Sequence, residues 1–122
     1  MNTMIEGIKP NIGTLDDLYQ ELGKVDMTAG WIERDTPILR SHPTTDFRPM
    51  HWHYRQSKQA LDIAGRLINT KLAERRNLIM RNPVEYNDIA TTRTLVSAYQ
   101  MILPGEKARS HRHAPHALRV II

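Results

Sequence analysis

Two histidines one residue apart are the strongest sign of chemistry in this sequence. His111 lies six residues after Gly105, and Arg112 separates it from His113. In an extended strand residues i and i+2 face the same side, so the two imidazoles would project together and could bind one metal ion. The alternative is a pair of solvated histidines, because histidine commonly lies at intermediate burial. His116 would face the opposite side of such a strand.

The segments around this pair are predicted to form strands. Residues 76–81 and 91–103 are rich in apolar or β-branched side chains, and Asn82-Pro83 stops the first of them. Residues 104–106 (PGE) predict a turn, and residues 117–122 (ALRVII) a third strand. Because a domain does not normally end on an unpaired apolar strand, we expect an antiparallel β-domain that is cut short at the last residue.

Two helices are predicted ahead of these strands. The first covers residues 14–23, with Thr14 as its N-cap and Gly23 as its stop. The second covers about 55–72, where apolar side chains recur at spacings of three and four. Residues 31–54 are predicted to be irregular, because prolines interrupt any helix or central strand there: Pro37, Pro43 and Pro49.

The composition is that of an ordinary globular domain. The chain has 122 residues, of which 40% are hydrophobic and 25% charged, and it has no cysteine. A wholly disordered chain, a collagen-like chain and a disulfide scaffold are therefore disfavoured. No apolar run approaches the ~18–20 residues of a membrane span, and the first residues show no signal-peptide pattern. We expect no membrane partner and a cytoplasmic location.

Charge is distributed unevenly along the chain. Residues 1–47 carry four basic and eight acidic side chains, whereas residues 48–81 carry eight basic and two acidic ones. A basic middle could face nucleic acid, an anionic small molecule or an acidic surface of a partner. Residues 48–55 (RPMHWHYR) mix bases with aromatics, as single-strand nucleic-acid platforms do, but no groove pattern surrounds them. We therefore expect no nucleic-acid partner, and we interpret His51 and His53 as solvated histidines beside a packed Trp52.

The chain resembles a known family over nearly its whole length. The spacing Gly105-x5-His111-x-His113 matches the first half of the cupin metal motif. Residues 99–106 (YQMILPGE), with the two histidines and residues 117–119 (ALR), resemble gentisate 1,2-dioxygenase and its ring-cleaving relatives. Shorter likenesses lie nearer the N-terminus, in residues 18–22 (LYQEL), 73–76 (AERR) and 82–83 (NP).

The resemblance implies roles for particular residues. His111 and His113 correspond to two Fe(II) ligands, and Gln100, Arg119 and Arg75 to positions that contact the aromatic acid. An arginine suits this task because its guanidinium binds a carboxylate through two parallel hydrogen bonds. Each residue also has a structural interpretation: a strand amide in solvent for Gln100, a rim salt bridge for Arg119 and the basic end of a helix for Arg75.

The sequence departs from the general cupin motif at the position of a glutamate. The motif places a glutamate four or five residues after the second histidine, where this chain has Ala117 and Leu118. Gentisate-type enzymes also lack that glutamate. The resemblance implies that iron is held by three histidines. The third is expected on a later strand, beyond Ile122. We therefore expect this chain to correspond to the N-terminal part of a longer, two-cupin subunit.

The expected fold is α+β, with a helical and irregular arm over residues 1–75 and the opening antiparallel strands of a cupin barrel over 76–122. The implied function is Fe(II)-dependent cleavage, with dioxygen, of a hydroxylated aromatic carboxylate such as gentisate, by a homotetramer. Two alternatives stay open. One is a non-catalytic remnant or assembly module, and the other is a metal-binding cupin of another type.

Overall fold

The computed structural model of the protein describes residues 7–34 and 46–122. Its elements follow one another as helix, strand, two helices and two short strands: α1 (Leu15–Lys24), β1 (Met27–Ala29), α2 (Tyr54–Leu67), α3 (Thr70–Ala73), β2 (Leu78–Met80) and β3 (Ala98–Tyr99). The irregular stretch predicted over 31–54 falls partly on residues 35–45, which lie outside the described residues. Among the helices that are described, none is long and apolar enough to cross a membrane.

Helix α1 forms where the sequence predicts it. The Thr14 hydroxyl oxygen accepts a hydrogen bond from the Asp17 backbone N–H at 3.2 Å, which satisfies one donor of the first turn. Leu18 and Leu22 are buried on the inner face. The predicted stop at Gly23 is wrong by one residue, because the helix ends at Lys24, and the residue with positive φ after it is Asp26, with φ of 55°.

The second predicted helix is divided in two. Helix α2 ends at Leu67, and Ile68 is extended. The side-chain oxygen of Asn69 then accepts hydrogen bonds from the backbone N–H groups of Lys71 and Leu72, at 3.0 and 3.3 Å, and so caps α3. An asparagine that binds the backbone locally competes with a continuous helix, which explains the break.

The three strands form one antiparallel sheet in the order β1-β2-β3. Met27 pairs with Met80, and Leu78 pairs with Tyr99. Strand β1 was not predicted, and it brings a segment from the first third of the chain into the same sheet as β2 and β3. The strand predicted over 91–103 is reduced to two residues.

The segment between β2 and β3 is a loop held by buried polar side chains. The Thr91 hydroxyl donates to the Met80 carbonyl at 2.6 Å and accepts from the Ser97 N–H at 2.8 Å. The Asn87 side-chain amide donates to the carbonyls of Asn82 and Ala90 at 2.8 and 2.9 Å. Side chains satisfy backbone groups here that a longer strand would have paired.

The predicted third strand over 117–122 is wrong. In the part of the chain that the structure describes, these residues have no strand partner and all are exposed. β-Branched side chains favour a strand only where a neighbouring strand supplies hydrogen bonds and a packing face. The fold is thus α+β, as expected, with an open three-stranded sheet; no closed barrel is seen in these described ranges.

The core lies where the two longer helices meet the sheet. It is formed by side chains from α1, β1, α2 and β2, among them Leu18, Leu22, Met27, Ala29, Ala60, Ile63, Ala64 and Leu78. Met101, just after β3, packs against this core, and its Cε lies close to Gly65 of α2, 2.8 Å from where a Cβ would be. The core therefore fixes both β3 and the residues that follow it.

Candidate metal and substrate site

The turn before the histidine pair has the predicted form. The Glu106 N–H donates to the Leu103 carbonyl at 3.1 Å, and Gly105 has φ of 83°. Proline at the second position and a residue with positive φ at the third are the pattern of a type II turn, which favours glycine there. Pro104-Gly105 therefore determines how the chain enters the segment that carries His111.

The same turn is joined to the end of α3 by a buried ion pair. Arg76 Nη1 donates to Glu106 Oε2 at 2.6 Å, and Arg76 Nη2 donates to Oε1 at 2.5 Å. The Arg76 side chain is 1% exposed and that of Glu106 is 20% exposed. The hydrogen bonds from Arg76, followed by one from the Leu103 N–H at 2.8 Å, lower the pKa of Glu106 to about 2. The pair is therefore fully ionised near neutral pH.

Arg76 is further held by two carbonyl groups. Its Nε donates to the Ile68 carbonyl at 2.9 Å, and its Nη1 also reaches the Met101 carbonyl at 3.4 Å. Its backbone is left-handed, with φ of 48°, a conformation that a non-glycine residue adopts at some cost in energy. Sequence reasoning missed this contact to Glu106, since the partners are 30 residues apart and no local pattern links them.

Arg75 lies beside this pair and points toward the histidine segment. Its side chain is 12% exposed, and its Nη2 donates to the carbonyl of Arg109, two residues before His111. Its Nη1 is buried without a hydrogen-bond partner among the described residues, and it lies 3.8 Å from a carboxylate oxygen of Glu74. Arg75 therefore contacts the histidine segment, in addition to lying after the end of α3 as the alternative interpretation has it. Its Nη1 has an ion-pair contact with Glu74 but no hydrogen bond.

His111 and His113 are neighbours, although they do not lie in a strand. Their ring centres are 5.4 Å apart and the rings are tilted by 48°. The predicted strand geometry is wrong, because both residues belong to an exposed segment without regular structure. His113 Nδ1 lies 2.6 Å from the Pro115 carbonyl oxygen. A carbonyl accepts only from a protonated nitrogen, so this contact assigns the Nδ1 proton as the donor, and in the neutral ring Nε2 is then the nitrogen that can bind a metal ion.

The distance between the two ring centres is one that a shared metal ion allows. Two imidazoles that bind one ion at metal–nitrogen distances of ~2 Å hold their ring centres roughly 4.5–5.5 Å apart, which matches the spacing here. Within the described ranges no group of three or more histidine, cysteine, aspartate or glutamate side chains could hold a metal. His111 and His113 therefore form an incomplete set of metal ligands.

The remaining predicted substrate residues are not joined to this pair. Gln100 follows β3 directly and is exposed, and Arg119 is exposed in the segment that forms no strand. No hydrogen bond or ion pair links either side chain to His111 or His113 in the ranges described. Arg119 was expected within the strand predicted over 117–122, which does not form in the described residues.

The second histidine pair is located at the start of α2. The rings of His51 and His53 are 4.0 Å apart, and His51 is exposed. Trp52 between them packs against the core, and its indole N–H donates to the Asp26 carbonyl at 2.8 Å. The interpretation of a packed tryptophan is confirmed.

Comparison with known proteins reveals relatives of one kind. The chain is 36% identical over 106 residues to gentisate 1,2-dioxygenase 1 of Aquipseudomonas alcaligenes, an alignment that covers 87% of this chain and 30% of that enzyme. It is 34% identical over 116 residues to a gentisate 1,2-dioxygenase of a Ralstonia species, covering 91% of this chain and 33% of the enzyme. It is 32% identical over 106 residues to 5-aminosalicylate 1,2-dioxygenase of a Comamonas species, covering 86% and 28%.

No family model and no solved structure matches the chain. The chain spans about 30% of the length of the curated relatives it matches. These relatives are enzymes that cleave aromatic rings, as the predicted resemblance required. The chain is thus a homologue of the gentisate 1,2-dioxygenases and related ring-cleaving dioxygenases, similar to them over about a third of their length.

Proposed function

We propose that this chain is part of an Fe(II)-dependent dioxygenase that cleaves the ring of a hydroxylated aromatic carboxylate, with gentisate as the substrate to test first. The observation that carries the proposal is the adjacent imidazole pair of His111 and His113, with the Arg75 guanidinium bound to the same segment through the Arg109 carbonyl. The similarity to gentisate 1,2-dioxygenases over 87–91% of the chain supports it.

In this proposal His111 and His113 hold the iron, and a third histidine is supplied from beyond Ile122. Iron, when bound, supplies the electron transfer that allows dioxygen to react with an aromatic ring. The Pro115 carbonyl holds His113 in the tautomer whose Nε2 is free to bind the metal. Neutral imidazoles are good ligands for Fe(II) and leave positions for substrate and dioxygen.

The arginines and Gln100 bind and orient the substrate. The Arg75 guanidinium, whose Nη1 makes no hydrogen bond in the described residues, supplies a positive charge to the carboxylate, and a mostly buried charge attracts an anion more strongly than an exposed one does. Arg119 supplies a second guanidinium and Gln100 an amide that contacts the aromatic acid. The result is an aromatic acid fixed in one orientation, which lowers the entropic part of the barrier.

The proposal extends to the fold and the assembly. Residues 76–122 form the opening part of a cupin barrel, and residues 1–75 form an arm outside it. The complete enzyme is a cytoplasmic homotetramer. The same chelating pattern of hydroxyl and carboxylate also suits salicylate-like and hydroxynaphthoate substrates.

A second candidate is a non-catalytic assembly module. It is favoured by the finding that the described residues offer two metal-binding imidazoles and no third donor beside them. A metal-binding cupin of another type would carry the same pair and have no activity on gentisate.

A chimeric enzyme tests the proposal. The matched third of the Ralstonia gentisate 1,2-dioxygenase is replaced by this chain, and the purified protein is supplied with Fe(II), oxygen and gentisate. We expect loss of gentisate absorbance, and loss of both iron and activity in His111→Ala. A His51→Ala chimera is the matched control and should keep both. A folded, iron-loaded chimera that leaves gentisate intact contradicts the proposed substrate class, and one without iron favours the assembly module.

A further inference from the structure

We infer that Arg76 and Glu106 are a positioning pair that sets the place of the histidine segment beside Arg75. This inference rests on the proposed function, because it gives the pair a role toward the metal and substrate site. Neither residue belongs to the predicted ligands or substrate contacts. Their proposed role is to hold the backbone of the histidine segment in position.

The two consecutive arginines, Arg75 and Arg76, make several hydrogen bonds with one segment of the chain. The backbone carbonyl of Arg75 accepts from the Met101 N–H at 3.0 Å, and Arg76 Nη1 reaches the Met101 carbonyl at 3.4 Å. Arg76 then binds Glu106 through both carboxylate oxygens, and Arg75 Nη2 binds the Arg109 carbonyl. The segment from 101 to 109 is therefore fixed at three residues by residues 75 and 76.

The two histidines follow shortly after these contacts along the chain. Every residue from 107 to 122 is exposed, and in the described chain the contact nearest before His111 is that of the Arg109 carbonyl. The turn that precedes it is tied by Glu106, whose Oε2 also accepts from the Leu103 N–H. If the Glu106 carboxylate is lost, the turn keeps only its own hydrogen bond, and the histidine segment is attached through Arg75 alone.

Stability is not all that the pair supplies. Removing the Glu106 charge leaves the buried Arg76 guanidinium without its partner and should destabilise the fold, but well-packed apolar side chains in place of both residues would stabilise it at least as well. The geometry of a planar guanidinium against a carboxylate is directional, however, because two parallel hydrogen bonds allow one orientation. The backbone on both sides of Arg75 is also left-handed, with φ of 55° at Glu74 and 48° at Arg76. A directional contact that holds an unfavourable backbone conformation is expected where a neighbouring side chain must be placed accurately.

Nuclear magnetic resonance of the chain in Glu106→Gln tests the inference without any metal. Glutamine keeps the size of glutamate and removes its charge. We expect the ¹⁵N heteronuclear Overhauser effects of residues 107–113 to fall, whereas those of α1 and α2 stay unchanged. Asp62→Asn is the matched control, because it removes a carboxylate from the exposed pair with Lys58 on α2. Values for residues 107–113 that equal those of the unaltered chain overturn the inference.

A titration with Zn²⁺ alone, followed through the histidine ring signals, adds the functional readout. Positioning predicts about tenfold weaker binding at His111 and His113 in Glu106→Gln. The rings of His51 and His53 should respond as in the unaltered chain, whereas a general loss of folding would change both pairs together. Unchanged affinity at His111 and His113 overturns the inference even if the backbone becomes more mobile.

The two proposals fail in different ways. If the ring signals of His111 and His113 in the unaltered chain do not respond to Zn²⁺, the proposed ligands are wrong. The ¹⁵N heteronuclear Overhauser effects still decide whether Glu106 orders the segment. If Glu106→Gln does not fold, Glu106→Asp replaces it. Aspartate keeps the charge but is one methylene too short to reach both Nη atoms in the same place, so the same loss of order is expected.

Discussion

The guanidinium of Arg76 binds both carboxylate oxygens of Glu106, at 2.6 and 2.5 Å, and joins the end of α3 to the turn before the histidine pair. The contact closes a loop of 30 residues that contains the whole of β2 and β3. Arg76 also donates to the carbonyl of Ile68, which precedes this loop, and to that of Met101, which lies within it. It therefore connects the helical part of the core with the segment of the proposed site.

The first prediction concerns the pH dependence of this pair. Arg76 lowers the pKa of Glu106 from its usual value near 4.5 to about 2, so the folded state favours the ionised carboxylate. A depressed pKa contributes stability that is fully present above about pH 4.5 and is lost as the pH falls through about 2. We expect Glu106→Gln to lower the free energy of unfolding equally at all pH values above about 5.

The measurement is urea unfolding of both proteins across the acid range. The difference between them should shrink below about pH 4.5 and nearly vanish at about pH 2, because the protonated glutamate no longer forms the ion pair. A difference that stays constant down to about pH 2 would show that Glu106 does not gain its stability from ionisation.

Local signals in the sequence predicted the parts of the fold that depend on local contacts. Thr14 and the apolar spacing after it predict α1, and the Thr14 hydroxyl accepts the expected hydrogen bond. The turn at residues 104–106 also follows from its residue types, since Gly105 takes the positive φ that the turn requires. The break before α3 had a signal that was not used, because Asn69 is a good N-cap in the middle of an apolar pattern.

What could not be predicted depends on distant partners. Residues 117–122 have strong β-propensity, but a strand needs a neighbour, and none lies beside them in the described ranges. Likewise the sequence supplies the spacing of His111 and His113 but not the strand that was expected to align them. Arg75 was placed near the site by resemblance alone, and the structure adds the physical link, its hydrogen bond to the Arg109 carbonyl.

The second prediction contrasts two glycines. Gly65→Ala should raise the free energy of unfolding by roughly 0.5–1 kcal/mol, because alanine favours a helix interior and the atom it meets is the flexible end of Met101. Gly30→Ala should lower it by about 1–3 kcal/mol, because a Cβ there would lie 2.8 Å from the Asn77 Cβ and 3.2 Å from its carbonyl oxygen. Chemical denaturation of both variants measures whether each free energy of unfolding rises or falls. Changes of the same sign and size would contradict the packing described for these sites.

The third prediction concerns Asn87, whose buried amide makes three hydrogen bonds to the backbone. It donates to the carbonyls of Asn82 and Ala90 and accepts from the Ala90 N–H at 3.0 Å. Asn87→Ala leaves the Ala90 N–H without its acceptor, whereas the carbonyls of Asn82 and Ala90 still accept from the N–H groups of Val84 and Asn82. The change should cost about 1–3 kcal/mol of unfolding free energy.

Asn69→Ala is the matched control for Asn87→Ala. It removes the exposed cap of α3 and should cost only about 0.5–1 kcal/mol, because water can replace the lost hydrogen bonds. Thermal unfolding of the two variants ranks them. A smaller cost for Asn87→Ala than for Asn69→Ala would mean that water enters the loop between β2 and β3.

The fourth prediction is that this chain binds Fe(II) weakly. Two imidazoles and water form an incomplete set of ligands, so an anaerobic titration should give a dissociation constant well above the sub-micromolar range. His111→Ala and His113→Ala should abolish the binding at this site, and His51→Ala should not. Sub-micromolar affinity would show that a further ligand, such as His116, His51 or His53, has been missed.

The last prediction concerns Arg119 in the chimeric dioxygenase. Arg119→Lys keeps the positive charge but loses the planar pair of donors that fits a carboxylate. If Arg119 binds the substrate carboxylate, loss of one charge-assisted hydrogen bond should lower kcat/KM roughly ten- to hundredfold. Iron content should stay unchanged, because Arg119 is not a ligand, whereas His111→Ala should lose iron and activity together. Steady-state kinetics with metal analysis separate these two effects. An Arg119→Lys enzyme with nearly unchanged kcat/KM would return Arg119 to the role of an exposed rim residue, which is how it lies in this chain.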